Sequence, residues 1–287
     1  MPKYKNNRAL VMDILRGRWL ISAPEARRLY QVANDFLERK PVSAEVEDIR
    51  PLLMDLDGAT QVGDSPSTSD RMVLVVPVTG TLTKYDNCYG TSTLEVAAIL
   101  DEYRVRENIV GFVLDFDSPG GTTDSVMPLV AAIRRIQADG KPIIAHCDYA
   151  ASAAYWVASQ CDALFMDNLL SEVGSIGVYA QIVDDRENKQ TGRRTLEIYA
   201  PESSDKNRAY RDALDGKPEA MKAELSEIAR VFQEAVKEGR KNLKADAPGV
   251  LSGATFSTAK AIDNGMADGM AELEDCVQNV FLRSHEF

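Results

Sequence analysis

Residues 109–121 read Ile-Val-Gly-Phe-Val-Leu-Asp-Phe-Asp-Ser-Pro-Gly-Gly, with a helical pattern starting near Asp124. Ile109 to Phe116 is a nearly continuous apolar run of β-branched and aromatic residues, the pattern of a strand buried on both faces. The Pro-Gly-Gly turn ends it. Working outward, the alternation repeats: Met72 to Leu82, Pro142 to Cys147 and Ala163 to Met166 read as strands, and Ser92 to Glu107 and Asp124 to Ala138 as helices. This predicts an α/β fold with a mostly parallel sheet covered on both faces, and places any chemistry at the turns after the strands. Gly174 to Val183 and Thr195 to Tyr199 read as further strands, and Pro218 to Lys244 as a long charged amphipathic helix.

Toward the N-terminus, Ser22-Ala-Pro-Glu25 has the form of a capping box, followed by an amphipathic helix over Ala26 to Arg39. A second helical patch is expected over Glu45 to Leu56. Gly58 to Arg71 has the composition of a linker. The domain organisation expected is therefore an N-terminal helical appendage over 1–57, a linker over 58–71 and an α/β domain over 72–287. No internal repeat is evident.

The 287 residues carry a net charge of −11, so the counterion-release term that drives binding to nucleic acid or anionic lipid is missing from the chain as a whole. Neither is expected as a partner. No apolar stretch approaches the roughly 18 residues a transmembrane helix needs, and the apolar residues after the basic start are interrupted by Asp13, Arg16 and Arg18, so a cytoplasmic protein is expected. Cys88, Cys147, Cys161 and Cys276 form no C-x-x-C pair and are read as reduced and structural.

Two turns carry candidate chemistry. Gly120 and Gly121 let the backbone present bare N–H groups after a strand, as an oxyanion hole requires, although such a turn can be only a turn. Tyr149-Ala-Ala-Ser-Ala-Ala-Tyr-Trp-Val-Ala158 comes after another strand and puts Ser152 at the start of a helix among alanines. There a hydroxyl can be a nucleophile or simply an N-cap. Lying at the ends of successive strands, the two segments can converge on one carbonyl. A serine needs a base, and the chain offers only His146, inside a strand, and His285, near the C-terminus. A desolvated lysine is the remaining option.

Asp117-Ser-Pro-Gly-Gly121, Tyr149 to Ser159, Val173-Gly-Ser-Ile-Gly-Val178 and Leu251-Ser-Gly-Ala-Thr-Phe-Ser-Thr-Ala-Lys-Ala-Ile-Asp-Asn-Gly-Met-Ala-Asp268, in this order, resemble the signal peptide peptidase A (protease IV) family, which includes phage head-maturation proteases. The resemblance covers about 72–280. It implies a Clp/crotonase-like fold, a repeated β-β-α superhelix, and a serine endopeptidase working through a Ser/Lys dyad without cofactor or metal. It gives Ser152 the nucleophile's place, and the amides of Gly120 or Gly121 and Ala153 the oxyanion hole. Lys206 takes the base's place, with Lys189 and Lys217 as lesser candidates, and Ser175 that of the serine orienting the lysine. Tyr155 and Trp156 are candidate walls of a substrate pocket. The family's membrane-bound members carry an N-terminal anchor where this chain has helices, which favours a soluble phage or prophage enzyme acting on capsid or scaffold proteins as a homo-oligomer. The rivals are a crotonase-like acyl-CoA enzyme and an inactive capsid-assembly or interaction protein.

Overall fold

The computed structural model describes residues 18–21, 23–37, 49–57, 60–62, 71–86, 90–182, 184, 186 and 196–284. In chain order, the first elements are β1 (Arg18–Ile21), α1 (Ala23–Leu37), β2 (Leu52–Met54), β3 (Thr60–Val62), β4 (Met72–Thr79), β5 (Thr81–Thr83), β6 (Gly90–Ser92) and α2 (Thr93–Arg104). Next come β7 (Ile109–Ser118), β8 (Gly120–Thr122), α3 (Val126–Ala138), β9 (Ile143–Ala151), α4 (Ala153–Ala158), β10 (Ala163–Met166), β11 (Glu172–Gly174) and β12 (Tyr179–Ala180). After these lie α5 (Arg208–Leu214), α6 (Glu219–Gly239), β13 (Thr255–Ser257), α7 (Thr258–Asp263), β14 (Gly269–Met270) and α8 (Leu273–Arg283).

Two mixed sheets result. The larger runs β13-β11-β9-β7-β4-β2-β3, with β10 on β9 and β14 on β10. Its centre is parallel, β4 to β7 to β9 to β11, while β2, β3 and β13 pair antiparallel. Side chains alternate across it as the period of two requires. Leu74, Val76, Phe112, Leu114, Phe116 and Ile143 enter the main core beneath α2, α3, α4 and α6, and Val73, Val75, Val113 and Ile144 pack on α8 from the other face. The sheet is covered on both sides, as the continuous apolar strands predict. The smaller sheet, β12-β1-β8-β5-β6, stands beside the carboxyl end of β7.

Several elements depart from the sequence reading. Met72 to Leu82 is two strands in different sheets, broken at Gly80, whose φ of +67° an L side chain rarely adopts. Leu52–Met54 is not helical but a strand, because Leu53 and Met54 bury themselves along β4 at a free sheet edge. A short apolar run has no period long enough to distinguish the two states. Thr60–Val62, inside the expected linker, pairs with β2. With β1 also a strand, the first 57 residues are not purely helical. The expected helix over Ala26 to Arg39 appears as α1, and residues 45–48 of the second helix lie outside the described residues. The strand expected over 174–183 contracts to Gly174 and to Tyr179–Ala180 within its described part. Among the described residues, 196–200 pair with no strand and leave Leu196 and Ile198 exposed. The alternation there is locally strand-like, but no sheet edge meets it.

Candidate active site

β9 ends where its small residues run out of partners. Ala150 sits opposite Ser118 of β7 and Val173 of β11, and Ala151 opposite Gly174. The next residue, Ser152, turns the chain sharply into α4 with φ +56° and ψ −116°, a conformation costing a non-glycine residue on the order of 1–3 kcal/mol. Surrounding bonds hold it there. The Ser152 N–H donates to the Gly174 carbonyl at 2.8 Å, and its carbonyl accepts the first helical bond from the Trp156 N–H at 2.9 Å. This is the strand-turn-helix geometry in which a serine hydroxyl is raised out of a sheet end. The Ser152 hydroxyl has one long contact, to the Gly177 carbonyl at 3.4 Å, so little binds its proton.

Gly120 closes on this turn from the side. Its φ is +102°, and a Cβ there would lie 2.2 Å from the Leu20 carbonyl oxygen, 2.8 Å from the Ala151 carbonyl oxygen and 3.0 Å from the Ser152 Cβ. Only glycine fits. The Gly120 N–H reaches the Ser118 hydroxyl at 3.3 Å, and that hydroxyl donates to the Gly80 carbonyl at 2.6 Å. Gly121 is embedded in the ladder opposite Leu20 and Leu82. Of the two glycine amides, that of Gly120 is directed by a weak, replaceable contact. Ala153 is the first residue of α4 and is fully buried.

Ser175 comes after β11 as Ser152 comes after β9, and it shares the φ of +56°. Its N–H donates to the Ala254 carbonyl at 2.8 Å, so the fourth motif acts here as framework. The same motif's Asp268 pairs with the buried Arg240 at 2.5 Å and accepts the Leu164 N–H at 2.7 Å. The structure thus brings Ser152, Ser175, Gly120 and Ala153 to neighbouring sheet ends.

Other candidates stand elsewhere. Lys206 is exposed in a turn before α5, its backbone N–H bonded to the Ser203 carbonyl, and no described hydrogen bond joins its side chain to Ser152 or Ser175. Lys217 is likewise exposed, and Lys189 and His285 lie outside the described residues. His146 is 5% exposed and held on both ring nitrogens, by Asp115 at 2.7 Å and Asp167 at 3.2 Å. Burial pushes its pKa down, but the Asp115 hydrogen bond and the charges of both carboxylates outweigh that, and the net displacement is upward. Tyr155 and Trp156 are core side chains rather than walls of an open pocket. The Tyr155 hydroxyl donates to the Met266 carbonyl at 3.0 Å, and Trp156 stacks on Phe232 at 4.6 Å between ring centroids. Cys147, Cys161 and Cys276 are free and buried, and burial raises each thiol, that of Cys276 to about 12, so none is a thiolate nucleophile. Cys88 lies outside the described residues.

The family profile described as Peptidase family S49 matches residues 135–282, just over half of the chain. The chain belongs to peptidase family S49. Ser152 and Ser175 both fall inside the matched span, and Gly120 precedes it. The chain is 27% identical to the head-tail preconnector protein GP5 of Enterobacteria phage P21 over 80% of its own length and 47% of the relative's. It is 24% identical to Protease 4 of Haemophilus influenzae over 71% of its length and 34% of the relative's. The chain thus spans about half or less of the length of these curated relatives. Among solved structures it is similar to a 1510-N membrane-bound stomatin-specific protease at 16% identity and a TM-score of 0.42, over 72% of this chain and 84% of that one. No helix among the described residues is long and apolar enough to cross a membrane.

One feature of this family member is invisible to the motifs. Arg18-Trp-Leu-Ile21 forms β1, antiparallel to β8, with Ile21 opposite Gly120 and Trp19 opposite Thr122. Its other edge meets β12. The only local signal is three large apolar residues just before the capping box.

Proposed function

We propose that this chain is a serine endopeptidase of Clp/crotonase-like architecture that cleaves peptide bonds through an acyl-enzyme. The Ser152 hydroxyl attacks the peptide carbonyl and the neutral amine of Lys206 takes its proton. The amides at Gly120 or Gly121 and at Ala153 hold the oxyanion, and the peptide C–N bond breaks as the Lys206 ammonium returns the proton to the leaving amine. Water, deprotonated by Lys206, then hydrolyses the acyl ester and restores the Ser152 hydroxyl. Ser175 is a positioning residue for the lysine. The observation that carries this reading is the strained strand-to-helix turn at Ser152, maintained by the Gly174 carbonyl and closed by Gly120. Nothing in a plain N-cap calls for that geometry, and the cap bond is absent: no side-chain capping bond is made by Ser152. Acyl-CoA chemistry has no need of such a serine.

The base is the half of the dyad that needs a further event. Lys206 acts as a base only when desolvated, which substrate, its own loop or a neighbouring subunit of a homo-oligomer must supply. The phage relative is by name a head-tail preconnector protein, which supports a role in phage head assembly, and we take capsid or scaffold proteins as the substrates and a prohead in the host cytoplasm as the place of action. A fluorophosphonate probe tests the chemistry: Ser152 is expected to be labelled stoichiometrically, and Ser152→Ala not at all. Labelling elsewhere, or turnover that survives Ser152→Ala, rejects the assignment. Mass spectrometry of co-expressed capsid and scaffold proteins tests the substrate class, and intact partners beside an active enzyme reject it.

A further inference from the structure

We propose that β1 is a resident pseudo-substrate: Arg18–Ile21 occupies the strand slot between β8 and β12 in which an extended peptide would lie, and has to leave before one can enter. This inference rests on the peptidase reading of Ser152.

Four observations carry it. The first is position. β1 pairs with β8 on one side and β12 on the other, so it fills a gap that would otherwise leave two strand edges facing each other. Such paired edges take an extended peptide by main-chain hydrogen bonding. The second is polarity. The acyl half of a substrate lies N-terminal to the scissile bond, so it must run toward the nucleophile in the N-to-C direction. β1 does so: Arg18 lies at the far end opposite Ala180, Ile21 lies opposite Gly120, and the Leu20 carbonyl oxygen is 2.2 Å from where a Gly120 Cβ would stand, beside Ser152.

The third observation is that β1 is buried mainly against its own helix. Trp19 and Ile21 belong to a satellite cluster with Ala26 and Leu29 of α1, flanked by Tyr30 and Tyr179, and of the strand's buried residues only Leu20 joins the main core. β1 and α1 pack as one unit, so their departure parts β12 from β8 in the smaller sheet and leaves the larger sheet intact. The fourth is the strand's far end. Arg18 is ion-paired with Glu224 of α6, and both line a groove with Asp205 and Asn207, the neighbours of Lys206. β1 therefore reaches from the serine's turn to the groove beside the lysine's turn. Its departure clears the strand slot and frees that groove at once.

The test uses the full chain. Fluorophosphonate labelling of Ser152 is timed in the parent, in Trp19→Ala, which weakens the satellite cluster, and in Arg18→Glu, which breaks the exposed ion pair without touching buried residues. Labelling is expected to be at least tenfold faster in Trp19→Ala and about two- to fivefold faster in Arg18→Glu, the range of an exposed ion pair. Adding Glu224→Arg to Arg18→Glu should return the parent rate. The capped peptide acetyl-Arg-Trp-Leu-Ile-amide, supplied in trans, should slow Trp19→Ala back toward the parent. Equal labelling of parent and both variants overturns the pseudo-substrate and leaves the peptidase reading standing. Absence of labelling in every form overturns the peptidase reading, and this inference with it. If circular dichroism shows that Trp19→Ala does not fold, Arg18→Glu, its charge-swapped rescue and the peptide acting on Arg18→Glu decide alone.

Discussion

The turn at Ser152 and the turn at Lys206 are both assigned to one reaction, yet they are built in opposite ways. Ser152 is 1% exposed and strained, and it is held by backbone bonds from β11 and α4. Lys206 is exposed, comes after a polar stretch and, among the described residues, is bonded only through its backbone to Ser203. A nucleophile at a sheet end is positioned by the ladder hydrogen bonds of the fold itself. A lysine base depends on being covered, and the cover need not belong to the same chain or be present before substrate arrives. On the proposed reading, the contrast teaches that folding alone finishes the serine half of the site, while the lysine half waits on binding or assembly.

The sharpest way to break the comparison is to ask whether the two turns act as a unit. Ser152→Ala is expected to lower kcat by about 10⁴- to 10⁶-fold, Lys206→Ala by a similar factor, and the double variant by little more. Steady-state peptidolysis measures all three. Near-normal turnover in Lys206→Ala would show that the exposed turn is no more than a surface loop.

A smaller effect tests how the lysine is covered. If a neighbouring subunit supplies the cover, activity per chain should fall tenfold or more on dilution below the assembly concentration, while fluorophosphonate-independent measures of Ser152 geometry stay constant. Light scattering and activity followed over the same dilution series settle it. A monomer with full specific activity sinks the assembly explanation and leaves cover by substrate or by the lysine's own loop.

The fixed half can be probed through its glycines. Gly120→Ala meets both a positive φ and two backbone oxygens, so a stability loss of about 3 kcal/mol or more is expected, together with loss of labelling at Ser152. Gly80→Ala has open space at the Cβ position and meets only the φ of +67°, so about 1 kcal/mol is expected. Denaturant unfolding of the pair provides the measurement. Equal losses would mean that the close packing around Ser152 adds nothing.

The smallest effect concerns His146, which lies on the strand leading to Ser152 but serves structure. Its folded pKa is raised above the usual 6.5, so its contribution is fully present below about pH 6.5 and is lost as pH rises through the raised folded value. The melting-temperature difference between parent and His146→Asn should therefore shrink from pH 6 toward pH 9. A difference that widens with pH contradicts the Asp115–His146–Asp167 arrangement.

The local grammar of the chain determined the central architecture. Apolar strands alternating with helices, a Pro-Gly-Gly turn and a serine among alanines are signals carried within about a dozen residues, and strand burial and turn chemistry act over that range. They placed β4, β7, β9 and β10, with the turns at Gly120 and Ser152, near where the structure has them. Tertiary structure decided what depends on partners far away in sequence. Leu52–Met54 became a strand because β4 offered an edge, while residues 196–200 stayed unpaired because none was offered. Tyr155 and Trp156 were drawn into the core by Met266 and Phe232. Ser175 took the same positive φ as Ser152 because β11 runs parallel to β9 and ends beside it. Arg18–Ile21 came to lie along Gly120, about a hundred residues away, because two strand edges there were open to a third; a short apolar segment carries no local mark of which edge it will fill.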